Sequence, residues 1–504
     1  MIFKFFDTKV FPGFVRWVYV MVLLLLLAGL TVLYVFPPAV LLKIAGLGAE
    51  AAKIQRKFLT PARWQLIQAV LAGLCVTWIG LGITLKHVSG KVSVGLAVWN
   101  QGISEVNTAI KSLFVQFSNA PIVFKTALFV LFWAQSIGQL YAAARFPLTY
   151  DEIWTYLNFT RRGPLVALTY YPAPNNHVLY SLLSSFTVQL HPDSALFQRI
   201  PTLLASIATF WLLLVLLLRH STFRWAVFGM FIFYSNYIIF YYGFQARGYE
   251  IQLLAFIAGL GAILELRSLD TQYHNAAWIT FGASSILGLI TIPTYVYPLF
   301  SLIILLGLGL FDNNNRSKTT LLKKAAVIVV VVFSITSIFY LPILVISGPH
   351  SFFANRFVTP IQRDDVIQRL PIHIRDTADW FFTSNFSEYL ILILLAVAVT
   401  AAVFKVRWFG RKVMLQLAFF LALPVVFMLV QSVIPFPRTW IYLIVVIMVL
   451  VCWLLSHLSD SHLSHLKLIN GLLIFAICYW SLNTYLNTVR YFHEFGNTWH
   501  MKVP

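Results

Sequence analysis

Two adjacent carboxylates, Asp151 and Glu152, follow directly after an apolar stretch of the chain. Carboxylates placed side by side at a membrane-water boundary repel each other and lose hydration, which suits a general base or a cation ligand. The same residue types also stabilise the positive N-terminal end of a helix dipole while they stay solvated. The pair alone therefore predicts either an acid-base site or the start of a helix.

Two arginines lie in short turns at the same predicted depth as this pair. Arg247 is followed by Tyr249 and Glu250 in a turn with almost no loop, and Arg438 follows two prolines at the start of a later apolar stretch. A guanidinium in such a turn binds an anion such as phosphate, or extends its charged end to lipid headgroups. Both interpretations are open for each arginine on its own.

A third polar group is the run 170–180, which is rich in tyrosine and contains Asn175, Asn176 and His177. Its aromatic rings suit contacts with the faces of a sugar, and His177 is either a structural histidine or part of the lining of a binding pocket. Carboxylates for proton removal, arginines for phosphate and aromatic rings for sugar together favour group transfer from a lipid-phosphate donor.

The elements that must position these groups are apolar. The chain has 504 residues, of which 60% are hydrophobic and 11% charged, against about 25% charged in an ordinary soluble domain. This composition excludes a soluble globular enzyme, a disordered chain and a nucleic-acid-binding module, and it indicates a polytopic membrane protein.

The 36 basic residues exceed the 17 acidic ones, which in a membrane protein reflects orientation rather than nucleic-acid binding. The three cysteines lie in apolar runs, so neither disulfides nor a cysteine-based metal site is predicted.

The hydrophobic pattern predicts an all-α polytopic membrane protein with about thirteen transmembrane helices, because a bilayer core about 30 Å thick needs roughly 20 apolar residues per helix. The predicted spans are 16–36, 64–84, 122–142, 200–219, 224–243, 251–267, 276–292, 294–312, 324–346, 386–404, 412–432, 438–456 and 467–485. Lys and Arg concentrate in alternate loops, which the positive-inside rule assigns to the cytoplasm. All of the polar groups described above then lie on the outer side.

Some stretches are predicted not to cross the membrane. Residues 177–190 are too short to span and are predicted as a helix in the outer interface. Apolar residues recur at steps of three and four over 99–117, which predicts an amphipathic helix that lies on the membrane surface or packs against the bundle. Glu105 in this helix is expected to need only solvation. Counting the predicted spans assigns the segment 37–63 to the outer side, but this segment carries many basic residues. Either the first span does not cross fully, or the segment lies along the surface.

The predicted organisation has three parts. Residues 1–121 form an N-terminal extension with two membrane helices and the amphipathic helix, which faces the cytoplasm. Residues 122–456 form the transmembrane core with outer loops 143–199 and 347–385, and 457–504 form the last membrane helix and a short tail. The loop 347–385 carries charges of both signs and is either an ordered cover over the site or a solvated loop.

The order of these motifs resembles the C-type glycosyltransferase superfamily, which has the GT-C fold. The similar features are Asp-Glu just past a span, Asn-Asn-His before an aromatic-apolar helix at 175–183, Arg-Ile-Pro-Thr at 199–202 in the next span, and Gln-Ala-Arg-Gly-Tyr at 245–249. The nearest branch contains the protein O-mannosyltransferases and the lipid A aminoarabinose transferase. The resemblance covers residues 122–456, and the first two spans fall outside it.

The resemblance implies a GT-C-like helical bundle, with interfacial helices in the first large outer loop, that transfers a sugar with inversion from a polyprenyl phosphate to an acceptor hydroxyl. By position, Asp151 corresponds to the family's base, and Glu152 to the neighbour that orients the acceptor or a cation. Arg247 corresponds to the second outer turn, which approaches the active site. Arg438 corresponds to the arginine that stabilises the leaving lipid phosphate, and His177 takes the histidine position of Asn-Asn-His.

The predicted site therefore has a catalytic pair and a set of binding residues. These are Asp151 and Glu152 as the pair, with Arg247, Tyr249, Glu250, Asn175, Asn176, His177 and Arg438 for substrate binding. No metal ligand is assigned. A divalent cation held by Asp151, Glu152 and Glu250 is left open, because some members of the family hold a metal near the second outer turn.

The expected partners are a polyprenyl-phosphate sugar donor, an acceptor that is a lipid, a glycan or a protein, and membrane lipid, with no nucleic acid. The expected location is a bacterial inner (plasma) membrane with the active site on the extracytoplasmic side. Two other classes stay open. A lipid or glycan flippase needs ionisable residues at mid-bilayer depth in broken helices, and a polysaccharide polymerase or ligase is expected to need a large outer loop late in the chain.

Overall fold

The computed structural model describes residues 89–172, 175–268, 274–309, 318–348, 360–382 and 419–461, together with residue 416 and parts of 23–79. Every regular element within these residues is helical, so the predicted all-α fold is confirmed for this part of the chain. The predicted spans 386–404 and 467–485 and the C-terminal tail lie outside the described residues.

The helices from residue 89 onward are numbered here in chain order. They are α1 Ser89–Asn119, α2 Ile122–Arg145, α3 Tyr150–Thr155, α4 Pro164–Thr169, α5 Val178–Leu190, α6 Ala195–His220, α7 Phe223–Tyr234, α8 Tyr237–Tyr242, α9 Tyr249–Arg267, α10 His274–Thr291, α11 Val296–Leu308, α12 Lys318–Ile346, α13 Arg363–Phe382, α14 Leu423–Gln431 and α15 Tyr442–Ser461. A π-helical turn, Tyr156–Thr160, continues α3, and the 3₁₀ turns Pro293–Tyr295 and Pro437–Trp440 precede α11 and α15.

The described helices include four that are long and apolar enough to cross a membrane, namely α2, α6, α9 and the stretch Leu321–Leu344 of α12. A fifth span results if the helices Leu26–Val35 and Pro38–Ile44, which meet at 120°, are counted as one. Together with the composition, these helices make the chain a multi-pass integral membrane protein. The predicted number of about thirteen spans is not confirmed.

One predicted span, 224–243, is divided in the structure. Helix α7 ends at Tyr234 and α8 begins at Tyr237. The side-chain oxygen of Asn236 accepts a hydrogen bond from the backbone N–H of Ile238 at 2.9 Å, which is the geometry of a helix N-cap. A polar cap inside an apolar stretch therefore replaces one long helix by two short ones.

Helix α6 lies at the centre of the bundle and packs against α2, α5, α7, α9 and α15. Its buried face carries polar residues at steps of three and four, at Arg199, Thr202, Ser206 and Thr209. Residues with this spacing share one face of a helix. The polar stripe therefore points into the protein, where each side chain faces a neighbouring helix.

The amphipathic helix is present as α1 and packs against α10. Glu105 is buried at 7% exposure, and its Oε2 accepts a hydrogen bond from the backbone N–H of Ala276 at 2.8 Å, in the first turn of α10. The expectation that Glu105 needs only solvation is therefore wrong. Its carboxylate caps a neighbouring helix, where it complements the positive end of the helix dipole.

The basic N-terminal segment packs against the first outer loop. Leu42, Leu47 and Leu59 are buried in a cluster with Val166 of α4. Arg162 Nη2 also donates to the carbonyl of Gly46 at 3.0 Å. These contacts place the described part of 37–63 beside the predicted outer loop 143–199.

Candidate active site

The frame of the site is a buried ion pair between Glu152 and Arg199. Arg199 Nε donates to Glu152 Oε1 at 2.8 Å, and Nη2 donates to Oε2 at 2.9 Å. The backbone N–H groups of Thr149 and Ala246 donate to the same carboxylate at 2.8 and 2.6 Å. Burial raises the pKa of Glu152, but the charge and hydrogen bonds of Arg199 and the two N–H donors outweigh it, so the pKa lies below its usual range.

Arg199 also closes the end of α2. Its Nη1 donates to the carbonyls of Ala143 at 3.1 Å and Phe146 at 2.9 Å, and its Nη2 donates to the carbonyl of Pro147 at 3.1 Å. The last carbonyls of a helix lack partners within the helix, so a buried helix end needs donors of this kind. One arginine thus joins the end of α2, the start of α3 and, through Glu152, the turn before α9.

Arg247 lies in that turn and is buried at 1% exposure. Its Nη1 donates to Thr155 Oγ1 at 2.8 Å and to the carbonyl of Asn175 at 3.0 Å. The side chain therefore does not extend to lipid headgroups. Its hydrogen-bond partners among the described residues include no carboxylate, so Arg247 brings a positive charge into the site.

His177 contacts the turn that carries Arg247. Its Nδ1 accepts a hydrogen bond from the backbone N–H of Gly248 at 2.8 Å. Burial and the charges of Arg247 and Arg438 lower the pKa of His177 well below its usual value, so the ring is neutral. Its Nε2 lies 3.1 Å from Arg247 Nη2. His177 therefore contacts both Arg247 and Gly248 of this turn.

Asp151 and Arg438 form the open side of the site. Arg438 Nη1 lies 3.2 Å from Asp151 Oδ2, and the two side chains are 31% and 30% exposed. The guanidinium carbons of Arg247 and Arg438 lie 5.9 and 5.8 Å from the centre of the Tyr249 ring. The structure thus brings together the predicted outer loop 143–199, the turn before α9 and the turn before α15. Both arginines lie near the ring of Tyr249.

Other predicted residues face the protein interior. Asn176 is fully buried, and its amide donates to the carbonyls of Ala167 and Tyr170 at 2.9 and 3.1 Å. Asn175 contributes its backbone carbonyl to Arg247, as described above. Glu250 is also buried, and the polar groups beside it are on α6 and α7 rather than on α3.

Helix α13, in the predicted outer loop 347–385, packs beside the turn that carries Arg438. The indole N–H of Trp440 lies 3.2 Å from Nε2 of His373. Asn236 Nδ2 donates to the carbonyl of Phe381 at 2.7 Å. Burial lowers the pKa of His373, an effect that Asp376 partly offsets, which favours the neutral ring that accepts from the indole. This part of the loop is an ordered helix docked on the bundle.

The three carboxylates considered for a divalent cation do not fit one in this arrangement. Glu152 already accepts four hydrogen bonds, and no described contact joins Glu250 to Asp151. Over the described ranges, no group of three or more His, Cys, Asp and Glu side chains is placed to hold a metal ion.

Arg199 is not among the residues that the sequence predicts for the site. Two signals point to it. An arginine in an apolar helix needs a partner, because an unpaired charge near the hydrocarbon is costly. The spacing Thr149-x-x-Glu152 is that of a capping box, in which the acidic side chain turns back to the N-cap backbone rather than outward.

Comparisons with known proteins find similarity to solved structures but no match by sequence. No protein-family model matches the sequence, and no curated protein sequence matches it. The chain is similar to the crystal structure of ArnT from Cupriavidus metallidurans in the apo state, with 16% sequence identity and a TM-score of 0.48. The similarity covers 71% of this chain and 63% of that chain, so it spans less than two thirds of ArnT. At this level, the comparison assigns neither a family nor an activity.

Proposed function

We propose that the protein is a membrane glycosyltransferase that moves a hexosyl or pentosyl group from a polyprenyl-phosphate donor to an acceptor hydroxyl, with inversion. The observation that carries the proposal is the partly exposed Asp151–Arg438 pair, 3.2 Å apart, beside the buried Arg247. A carboxylate that can accept a proton stands next to guanidinium groups that can bind a phosphate. The proposed location is the outer side of a bacterial inner membrane.

In the proposed reaction, Asp151 accepts the proton of the acceptor hydroxyl as the oxygen bonds to the anomeric carbon. The bond between that carbon and the phosphate oxygen breaks, and its electron pair leaves with the lipid phosphate. A positioned base contributes about 10²–10⁴-fold to such a step. The donor phosphate would replace Asp151 as the partner of Arg438. The Asp151 carboxylate could then accept the proton of the acceptor hydroxyl.

Negative charge grows on the lipid phosphate during the reaction, and fixed positive groups stabilise it without reorganising. Arg438 and Arg247 supply this charge, and Tyr249 keeps both guanidinium groups in place. Glu152 acts as a positioning residue, because its oxygens are already bonded to Arg199 and to two backbone N–H groups. Asn176 and His177 hold the loop and the turn that present Arg247.

The decisive experiment incubates the purified protein with a panel of short-chain polyprenyl-phosphate sugars and measures the release of polyprenyl monophosphate. Asp151→Asn is expected to abolish release while donor binding and folding are kept. Arg438→Ala is expected to weaken donor binding. Asp193→Asn changes an exposed carboxylate in the same outer loop and serves as the matched control, with release unchanged.

The outcomes separate the three classes of function. Release of polyprenyl monophosphate that depends on Asp151 supports the proposal. Transfer of an intact lipid-linked sugar between leaflets without bond cleavage indicates a flippase, and activity only with pyrophosphate-linked glycans indicates a polymerase or ligase. Undiminished turnover in Asp151→Asn would overturn the assignment of the base.

A further inference from the structure

The helices α10, α11 and α12 leave an apolar groove between them. Phe281 of α10, Ile303 and Leu306 of α11, and Leu321 and Ala325 of α12 are among the residues that line it. The groove holds about 420 Å³ of empty space, and no lining residue has a polar side chain. An ordered water needs polar partners and takes up only about 30 Å³. The groove therefore suits a larger, apolar occupant.

The groove lies at the end of the bundle opposite the candidate site. Helix α9 begins at Tyr249, in the site, and its 19 residues extend about 28 Å to Arg267. Arg267 Nη1 donates to the carbonyl of Leu305 at 3.1 Å, one residue before the groove residue Leu306. Leu322, which also lines the groove, is 59% exposed, so the groove opens at the surface of the bundle, where lipid surrounds a membrane protein.

Basic residues adjoin the groove at this end. The stretch 316–324 contains Arg316, Lys318, Lys323 and Lys324 and no acidic residue, and the positive-inside rule assigns it to the cytoplasm. Lys323 and Lys324 directly follow Leu322 in α12, the first exposed and the second half-buried. Side chains of a helix lean toward its N-terminus, so both lysines lean toward the membrane surface rather than the bilayer centre. Basic clusters beside membrane helices on the cytoplasmic side bind anionic lipid headgroups.

We propose that this groove binds one acyl chain of an anionic phospholipid of the cytoplasmic leaflet, with the headgroup phosphate beside Lys323 and Lys324. The charge distinguishes between lipids, because a zwitterionic phospholipid offers the same acyl chain but no net negative charge. The bound chain packs between α11 and α12 and holds their ends together. This proposal does not depend on the proposed transfer reaction, and its test measures lipid binding rather than turnover.

The first experiment tests the headgroup. Native mass spectrometry of the purified full-length protein measures the binding of phosphatidylglycerol and of phosphatidylcholine with the same acyl chains. We expect wild type to bind phosphatidylglycerol more tightly, by about tenfold or more. Replacing both Lys323 and Lys324 by Gln should remove most of this preference. The control replaces Lys111 and Lys125, two lysines of α1 and α2 on the same predicted side, and should keep the preference.

The second experiment tests the acyl chain. A Cβ added at Gly307, which lines the groove, meets no atom within 4 Å, so Gly307→Leu extends into the groove without displacing a neighbour. This variant is expected to bind both lipids more weakly. Gly73→Leu is the matched control, because a Cβ added at Gly73 also meets no atom within 4 Å, and its lipid binding should be unchanged.

A third measurement needs no variant. Phosphatidylglycerol with a photoreactive group midway along one acyl chain should crosslink to peptides from α10, α11 and α12. Crosslinks confined to other helices would overturn the proposal, and so would equal binding of the two lipids by wild type. Unchanged lipid binding in a folded Gly307→Leu protein would show that the chain does not occupy the groove.

Discussion

At the scale of single residues, the site contains two neighbouring carboxylates with different surroundings. Glu152 is fully buried and accepts four hydrogen bonds, whereas the side chain of Asp151 is 30% exposed and faces Arg438. Neighbouring residues on a helix point about 100° apart, so adjacent positions reach different environments. Glu152 therefore holds the loop to its neighbours, whereas Asp151 is partly accessible from outside the protein.

Glu152→Gln is predicted to destabilise the protein by about 3–5 kcal/mol, because it leaves the Arg199 charge buried without a carboxylate. The measurement is the free energy of unfolding in detergent or nanodiscs. The control is Glu265→Gln, whose partner Arg219 is 28% exposed, and a loss below about 1 kcal/mol is expected there. Equal losses in the two variants would contradict the prediction.

The neutral His177 predicts an acid-sensitive protein. The folded state does not protonate this ring, whereas the unfolded chain does so below its ordinary pKa of 6.5, so the unfolded state binds more protons there. Stability therefore falls as the pH drops below 6.5, by up to about 1.4 kcal/mol per pH unit.

The measurement is the unfolding free energy of wild type and His177→Gln across this pH range. Glutamine still accepts from the Gly248 N–H but does not titrate, so its stability should depend less steeply on pH. His373, whose pKa is also lowered, contributes equally to both proteins and cancels in the comparison. Parallel curves would contradict the assignment of a neutral His177.

At the scale of elements, Asn236 connects the helices α8 and α13. Its side-chain oxygen caps α8, and its amide nitrogen donates to the end of α13. The cap and the link to α13 therefore use different atoms of one residue. Because the turn with Trp440 and Arg438 also contacts α13, the docking of this helix and the position of Arg438 are coupled.

Asn236→Asp is predicted to separate these two roles. Aspartate is a good N-cap, so α8 should be kept, but its carboxylate cannot donate to the carbonyl of Phe381. Hydrogen exchange should therefore increase in α13 and not in α8. Asn236→Ala, which loses both contacts, should increase exchange in both helices. Unchanged exchange in α13 of Asn236→Asp would show that the hydrogen bond to Phe381 does not hold this helix.

The elements also show what sequence patterns can predict. Apolar runs predicted the helices near 122–142, 200–219 and 251–267, and the step of three and four predicted α1. The break at Asn236 is not predicted, because two polar residues, Ser235 and Asn236, in an apolar run do not reveal that one of them caps a helix. The contact between Asp151 and Arg438 joins residues 287 positions apart, and no local pattern carries that information. The predicted topology places both residues at the same depth, and the family resemblance assigns them to one site.

At the scale of the whole molecule, α6 is long and apolar enough to connect the two sides of a membrane. Its 26 residues measure about 39 Å along the axis, enough to exceed a hydrocarbon core of about 30 Å. Arg199 lies near one end with the candidate site, and Arg219 and His220 lie in the last turn at the other end. The positive-inside rule assigns the end with Arg219 to the cytoplasm.

Single cysteines at the two ends of α6 are predicted to react on opposite sides of the membrane. The substitutions are Asp193→Cys and Thr222→Cys, at exposed positions, in a chain whose three native cysteines are replaced. A membrane-impermeant thiol reagent added to intact cells should label the cysteine at 193 and not the one at 222. Labelling of 222 alone would reverse the orientation and place the site in the cytoplasm.

The bend between Leu26–Val35 and Pro38–Ile44 has a consequence for biogenesis. The buried leucines that follow it, Leu42, Leu47 and Leu59, pack on Val166, which is synthesised about 100 residues later. At about 5–20 residues per second, the ribosome needs on the order of 5 to 20 s to supply that partner. During this interval the N-terminal segment is without its packing surface, so its final position is reached only after residue 166 has been synthesised.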